Sequence, residues 1–215
     1  MKLAHCLLTV IALVGTAVPA AADVVKARLN TTEGPRFMRV YGTAFPPHGF
    51  VKFCDRAPQE CVQGAPEIRR FELTADRRRL LDQINRGVNR AIKPATDMEL
   101  YGISEVWTMP TDRGDCEDYA LLKRHLLIRE GWPVGSLLMT VVRDEKGEGH
   151  AVLTVRTANG DFILDNKNDD IKFWYETPYE FVMRQSYINP RVWMSLDPSD
   201  GHAPGAMAGF DRVPR

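Results

Sequence analysis

The chain has 215 residues, with 28 basic and 28 acidic side chains. This balance provides no basic surplus for binding nucleic acid or an anionic membrane surface, which excludes both as charge-selected partners. The length suits one domain with a complete hydrophobic core.

The N-terminus has the pattern of a cleavable secretory signal peptide. Lys2 precedes an apolar run over residues 6–18, and Ala20-Ala21-Ala22 supplies the small residues that a signal peptidase accepts. The run is too short to span a bilayer, and no later segment is long enough either. We therefore expect a signal peptide over 1–22, export to the periplasm and no stable membrane insertion. A buried N-terminal helix is the alternative.

The mature chain then keeps three cysteines, because Cys6 leaves with the signal peptide. Cys54 and Cys61 flank a short polar loop and are predicted to form a local disulfide in an oxidising compartment. Cys116 is left unpaired, and such a cysteine is either buried and inert or retained for its reactivity.

The stretch 37–66 reads as short strands and loops, and residues 75–93 predict a helix that Thr74 caps and Pro94 ends. A second helix is predicted from about Asp115 to Glu130, ended by Gly131 and Pro133. After Pro133 the apolar residues recur with a period of two, as in β-strands. Strands are predicted over residues 137–143, 150–156, 162–165 and 191–196.

Helices followed by a meander of strands predict an α+β fold with an antiparallel sheet. The Gly/Pro/Ala-rich stretch 198–215 has no period and predicts a flexible tail. We expect one domain over 23–197.

Cys116 falls in the first turn of the second helix, where the backbone N–H groups and the helix dipole favour a thiolate. A nucleophilic thiolate needs a base. His125 lies nine residues along the same helix, on the opposite face and roughly 13 Å away, so it cannot serve. His150 opens a strand after a Gly-rich turn and is the candidate base, although a strand-end histidine is often merely structural.

Asp165, at the end of the next strand, is the candidate that orients this base, and a turn-initiating aspartate is the alternative. A two-residue turn at Asn159-Gly160 would pair Asp165 with Thr154. His150 and Asp165 would then share a face but lie four residues, about 13 Å, out of register. Either the hairpin is irregular or another residue takes this role.

The segments GDCEDYALLKRHLL, GHAVLTV and ILDN, in this order, resemble the bacterial transglutaminase-like cysteine proteinases, including the LapG-type periplasmic proteases that clip surface adhesins. The similarity extends over about residues 80–196 and includes YGISEVW and QSYINPRVW. It implies a papain- and transglutaminase-like fold, with the helix that carries the nucleophile packed on an antiparallel sheet. It also implies a triad of Cys116, His150 and Asp165.

The same resemblance implies dependence on calcium, with Asp115, Glu117 and Asp118 as candidate ligands. A hard cation with oxygen ligands would offset carboxylates that otherwise raise the thiol pKa. The alternative is that these acids only stabilise the helix N-terminus. The resemblance further implies a protein substrate, such as a large adhesin that controls biofilm attachment, and an inner-membrane receptor that sequesters the protease.

Three other functions remain open from the sequence. A transglutaminase would share the triad but pass the acyl group to an amine. A zinc module built on Cys116 and His150 lacks the paired ligand spacings of such sites. A non-catalytic periplasmic binding protein would keep its effect without Cys116.

Overall fold

The computed structural model describes residues 35–64 and 70–202. The predicted signal peptide over 1–22 and residues 203–215 of the predicted tail lie outside these ranges, while Pro198–His202 forms a short 3-10 helix. No helix in the described part of the chain combines the length and the apolar character needed to cross a membrane.

Four α-helices and nine strands are present in the described residues. The helices are α1 (His48–Arg56), α2 (Ala75–Ala91), α3 (Asp97–Tyr101) and α4 (Cys116–Arg129). The strands are β1 (Gly42–Ala44), β2 (Lys93–Pro94), β3 (Arg113–Gly114), β4 (Leu137–Arg143), β5 (Gly149–Thr157), β6 (Gly160–Leu164), β7 (Lys172–Phe173), β8 (Glu180–Gln185) and β9 (Trp193–Ser195).

Seven of the strands form one antiparallel sheet in the order β1-β9-β8-β4-β5-β6-β7. The remaining two, β2 and β3, form a small parallel ladder. Helices followed by an antiparallel sheet confirm the predicted α+β class.

Helix α4 packs on β5 of the sheet, and α2 packs on α4. The buried residues of α4 lie on several of its faces. Helix α4 is therefore a central helix enclosed by protein rather than a surface helix with one apolar stripe. Since α4 begins at Cys116, the fold brings the free cysteine to the layer between helices and sheet.

Helix α1 contributes to the same core as α4 and the sheet. Its Phe50 ring packs edge-on against Trp107 and Trp193, and Trp107 is only 2% exposed. Trp107 is therefore a core residue. Cys54, in α1, is joined to Cys61 with their Cα atoms 5.6 Å apart, which confirms the predicted disulfide.

The strongly periodic elements agree with the predictions. Thr74 caps α2 and accepts a hydrogen bond from the Arg77 N–H, and β4 covers the predicted residues 137–143. The expectation of only strands and loops over 37–66 was wrong, because α1 lies within it. Strand β8 was not predicted.

Candidate active site

Cys116 lies at the junction between the first turn of α4 and the start of β5. Asp115 is the extended residue before the helix, so the cysteine is its first residue. The Cys116 Sγ accepts a hydrogen bond from the Ala151 N–H at 3.3 Å and donates one to Glu117 Oε2 at 3.1 Å. Ala151 directly follows His150, so the thiol lies against the strand end that carries the candidate base.

The environment of the thiol opposes its ionisation. The Cys116 residue keeps part of its surface accessible, but the protein packed around the thiol raises its pKa well above the ordinary value. The negative charges of Glu117 and Asp115 raise this pKa further, and the Ala151 N–H lowers it only in part. The lowering predicted from the helix N-terminus is therefore outweighed by burial and by the neighbouring carboxylates.

His150 and Asp165 are hydrogen-bonded, with His150 Nε2 and Asp165 Oδ1 2.9 Å apart. The β5–β6 hairpin is regular, contrary to the expected irregularity, and its turn residues are Ala158 and Asn159. This shift by one residue leaves Asp165 opposite Val152 and diagonal to His150 on the same face of the sheet. Side chains of this length bridge such a diagonal.

The Asp165 carboxylate is fully satisfied although it is only 4% exposed. Besides His150, the Lys167 N–H donates to Oδ1 at 3.0 Å and the Tyr179 hydroxyl donates to Oδ2 at 2.5 Å. Burial by itself raises the Asp165 pKa, but these hydrogen bonds and the charge of His150 bring it below the ordinary value. An ionised carboxylate only accepts, so Nε2 carries the proton and Nδ1 is the second ring nitrogen.

Two loops that flank this pair are joined by an ion pair. Lys167 Nζ, in the loop after β6, contacts Asp144 Oδ2 at 2.7 Å in the turn between β4 and β5. Asp144 also accepts the N–H groups of Lys146 and Glu148. The turn that precedes His150 is thereby fixed to the loop that follows Asp165.

Helix α2 holds the loop after Asp165 from the other side. Asn89 Nδ2 donates to the Asp165 carbonyl oxygen at 3.0 Å and to Asp169 Oδ1 at 2.9 Å. One turn earlier, Asn85 Nδ2 donates to the carbonyl oxygens of Asn168 and Asp169. The position of the Asp165 backbone is thus set by a helix distant in sequence.

A group of three carboxylates lies beside the cysteine. One oxygen each of Asp97, Asp115 and Glu117 lies within 4.8 Å of the others. The parallel ladder explains this meeting, because Pro94 pairs with Gly114, so the segments that lead to Asp97 and Asp115 run side by side.

These carboxylates fit a hard, oxygen-liganded cation. Asp97 Oδ1 and Asp115 Oδ1 are buried, and neither has a hydrogen-bond partner among the residues that the structure describes. Burial and the charge of Asp115 raise the Glu117 pKa to about 9, and burial raises that of Asp115 as well. Clustered acids with unpaired oxygens are the donor set that a divalent cation satisfies.

Asp118 differs from the two other predicted ligands. Its Oδ1 accepts the Thr108 N–H at 2.9 Å, which fixes the loop ahead of Cys116. Its Oδ2 is buried without a partner in the described ranges, and burial raises its pKa to about 7. Asp118 borders the carboxylate group but does not belong to the compact set of three.

Sequence reasoning missed three residues of this site. Asp97 precedes the cysteine by 19 residues, and only the capping box at Thr96 and Glu99 distinguishes its segment. Asn89 occupies a polar position of an amphipathic helix, and Tyr179 lies in an aromatic-rich stretch. None of the three belongs to a recognisable motif.

Comparison with known proteins places the chain in a family. The family model described as bacterial transglutaminase-like cysteine proteinase matches residues 40–201. A search of curated protein sequences gave no significant match.

Among solved structures, calcium-bound Legionella pneumophila LapG aligns with 23% identity and a TM-score of 0.47, over 54% of this chain and 68% of that one. EGTA-treated LapG aligns with 23% identity and a TM-score of 0.46, over 54% of this chain and 66% of that one. The family match extends over the whole candidate site, and the chain belongs to the bacterial transglutaminase-like cysteine proteinases, a family of cysteine peptidases.

Proposed function

We propose that this protein is an exported cysteine peptidase in which Cys116 is the nucleophile, His150 the general acid and base, and Asp165 the group that orients the imidazole. The observation that carries the proposal is the continuous contact from Asp165 Oδ1 through His150 to the Ala151 N–H on Cys116 Sγ. No direct hydrogen bond joins the imidazole and the thiol among the described residues, but such bonds are often long before substrate binds.

The first half of the reaction is acylation. The thiol proton moves to His150 Nδ1, and the Cys116 sulfur attacks the carbonyl carbon of the scissile peptide bond. Backbone N–H groups at the start of α4 face the developing oxyanion. The carbon–nitrogen bond then breaks, the leaving amine takes the proton from His150, and a thioester remains on Cys116.

The second half is hydrolysis of the thioester. Neutral His150 accepts a proton from water through Nδ1, and the resulting hydroxide attacks the thioester carbon. The carbon–sulfur bond breaks, the product acid leaves, and the proton returns to the sulfur. Throughout, Asp165 keeps Nε2 protonated and offsets the positive charge that His150 carries in the transition states.

We further propose that Asp97, Asp115 and Glu117 hold a calcium ion. When bound, calcium would supply positive charge that offsets the carboxylates next to the thiol. The support is the unpaired, buried oxygens of this group. Of the acids predicted from the sequence, Asp118 is assigned here to the adjoining loop instead.

We propose that the substrate is a protein outside the cytoplasm, such as a large surface adhesin whose cleavage alters biofilm attachment. The periplasmic location rests on the signal-peptide pattern of residues 1–22. An inner-membrane receptor that sequesters the protease would complete this system. Both partners are inferred from the family resemblance.

The test is proteomic analysis of protein termini. Mature wild-type protein and Cys116→Ala are each incubated with calcium, a primary amine and an extract of the periplasmic and surface proteins of the source bacterium. We expect new C-termini with free carboxylates in the wild-type sample only. The absence of new termini would contradict a peptidase, and amine adducts at glutamine side chains would indicate a transglutaminase.

A further inference from the structure

Tyr179 makes contact with both members of the His150–Asp165 pair, yet it has no part in the proposed proton transfers. Its hydroxyl donates to Asp165 Oδ2 at 2.5 Å. Its ring meets the His150 imidazole edge to face, with centroids 5.5 Å apart and an interplanar angle of 67°. A single side chain therefore restrains the carboxylate and the imidazole together.

The position of Tyr179 is itself well determined. It directly precedes β8, a strand that pairs with β4 in the middle of the sheet. Its ring packs on a cluster of buried apolar side chains on this face of the sheet, which includes Val142, Val152 and Ile163. The hydroxyl is thus presented to Asp165 from a rigid element, as the support of a functional site requires.

The hydrogen-bond donors to the two oxygens of Asp165 define the contribution of Tyr179. Both other donors, His150 Nε2 and the Lys167 N–H, use Oδ1, so the Tyr179 hydroxyl is the donor that holds Oδ2. Without it, Oδ2 would be a buried charged oxygen without a partner, or the carboxylate would rotate about its Cβ–Cγ bond to find one. Either change disturbs the bond that keeps the imidazole in the required tautomer.

The space beside the pair permits such a rearrangement. A cavity of about 20 Å³ is bordered by Asp165 and Tyr179, together with Asn168 and Thr177. This volume suffices for a single water molecule. The Tyr179 hydroxyl donates to Asp165 Oδ2, the oxygen to which a water molecule in this cavity would otherwise donate.

We propose that Tyr179 is a positioning residue that holds the Asp165 carboxylate and the His150 ring in the orientation that the cysteine requires. This inference rests on the proposed roles of His150 and Asp165 in peptide hydrolysis. The contacts of Tyr179 are with Asp165 and His150 rather than with the thiol, and it acts through these two side chains.

The experiment compares Tyr179→Phe with the matched control Tyr187→Phe. Both changes remove one hydroxyl and keep the ring, and the Tyr187 ring stacks under Arg156 rather than near Asp165. The first readout is the proton resonance of His150 Nε2–H in the mature protein, assigned by its loss in His150→Ala. The second is the rate at which iodoacetamide alkylates Cys116.

We expect Tyr179→Phe to shift the His150 resonance, to speed its exchange with water several-fold and to slow alkylation about tenfold, since one hydrogen bond to a buried charge is lost. Tyr187→Phe should match the wild type in both readouts. The resonances of His48 and His125 report whether each variant is folded.

The outcomes separate this inference from the proposed function. An unchanged His150 resonance in folded Tyr179→Phe overturns the positioning role, whatever the alkylation rate. If the resonance shifts but His150→Ala alkylates Cys116 as fast as the wild type, the contact is supported while the proposed peptidase mechanism fails.

Discussion

In the half of the site built on the sheet, Asp165 accepts hydrogen bonds from His150, Tyr179 and the Lys167 N–H. Both of its carboxylate oxygens therefore have a donor although the residue is buried. In the half around the start of α4, one oxygen each of Asp97, Asp115 and Asp118 is buried without a partner in the described part of the chain. The pKa of Asp165 lies below its ordinary value, whereas burial raises the pKa of Asp115 and that of Asp118.

The difference has a physical reading. The half that carries the base is complete with protein groups alone, and it is fixed by the sheet register and by α2. The half that carries the nucleophile gathers carboxylates that oppose thiolate formation, so it has a surplus of negative charge that an added cation would offset. Selective changes in each half test this contrast.

Removal of the base should have the largest effect. We expect His150→Ala to slow alkylation of Cys116 by iodoacetamide at neutral pH about a hundredfold or more, because the thiol loses its proton acceptor. The matched control is His125→Ala. His125 lies on α4, the helix that begins at the cysteine, and its imidazole contacts the Glu60 carboxylate. Equal alkylation rates in the two variants would remove His150 from the mechanism.

Removal of one acid should weaken cation binding strongly. We expect Asp97→Asn to lower the calcium affinity of the mature protein about a hundredfold, since one charged ligand of three is lost. Isothermal titration calorimetry measures the affinity, with Asp112→Asn as the control because Asp112 is an exposed acid in the loop ahead of β3. A wild-type protein that binds no calcium would contradict the proposed site.

A buried lysine near the sheet half should make stability depend on pH. Lys123 is fully buried, its Nζ has no hydrogen-bond partner among the described residues, and burial lowers its pKa to about 7. The unfolded chain, with an ordinary lysine pKa near 10.4, binds more protons between these values. The stability contributed by this site is therefore lost as the pH falls from about 10 to 7.

Urea unfolding of wild type and Lys123→Met at pH 7 and pH 9 checks this dependence. The difference in the free energy of unfolding, wild type minus variant, should increase by about 2 kcal/mol from pH 7 to pH 9. The variant should be the more stable protein at pH 7, since its side chain carries no charge to bury. A difference that is constant with pH would show that the amine is solvated.

Loss of the contact from α2 should have the smallest effect. We expect Asn89→Ala to lower the opening free energy of the segment 165–170 by about 1 kcal/mol, because the Asp165 carbonyl loses a donor. Amide hydrogen exchange measures this change. Gln83→Ala, an exposed change in the same helix, should leave the segment as in the wild type; faster exchange in both variants would indicate a general loss of helix stability.

The long periodic elements could be read from the sequence, and so could the position of Cys116 in the first turn of a helix. Strand β4 follows from its alternating pattern, and the end of helix α4 follows from Gly131, which adopts the predicted left-handed conformation. The contact between His150 and Asp165 could not be settled, because placing the turn one residue later changes the pairing of every following residue.

The parts that could not be predicted depend on contacts between distant segments. Asp97 reaches the cysteine through two strands of two residues each, too short to leave a pattern in the sequence. The raised pKa of the thiol likewise depends on packing around Cys116, whereas the sequence indicated only the helix N-terminus. Short ladders and burial arise from tertiary structure and have no local signal.

The most direct measurement is the rate of Cys116 alkylation in mature wild-type protein with calcium and with chelator, with the modified residue located by mass spectrometry. We predict that calcium increases the rate in a saturable manner, that chelator reverses the increase, and that Glu117→Gln reduces the dependence. A rate that is the same with calcium and with chelator, or no faster than that of the unfolded chain, would contradict an activated Cys116 completed by a cation.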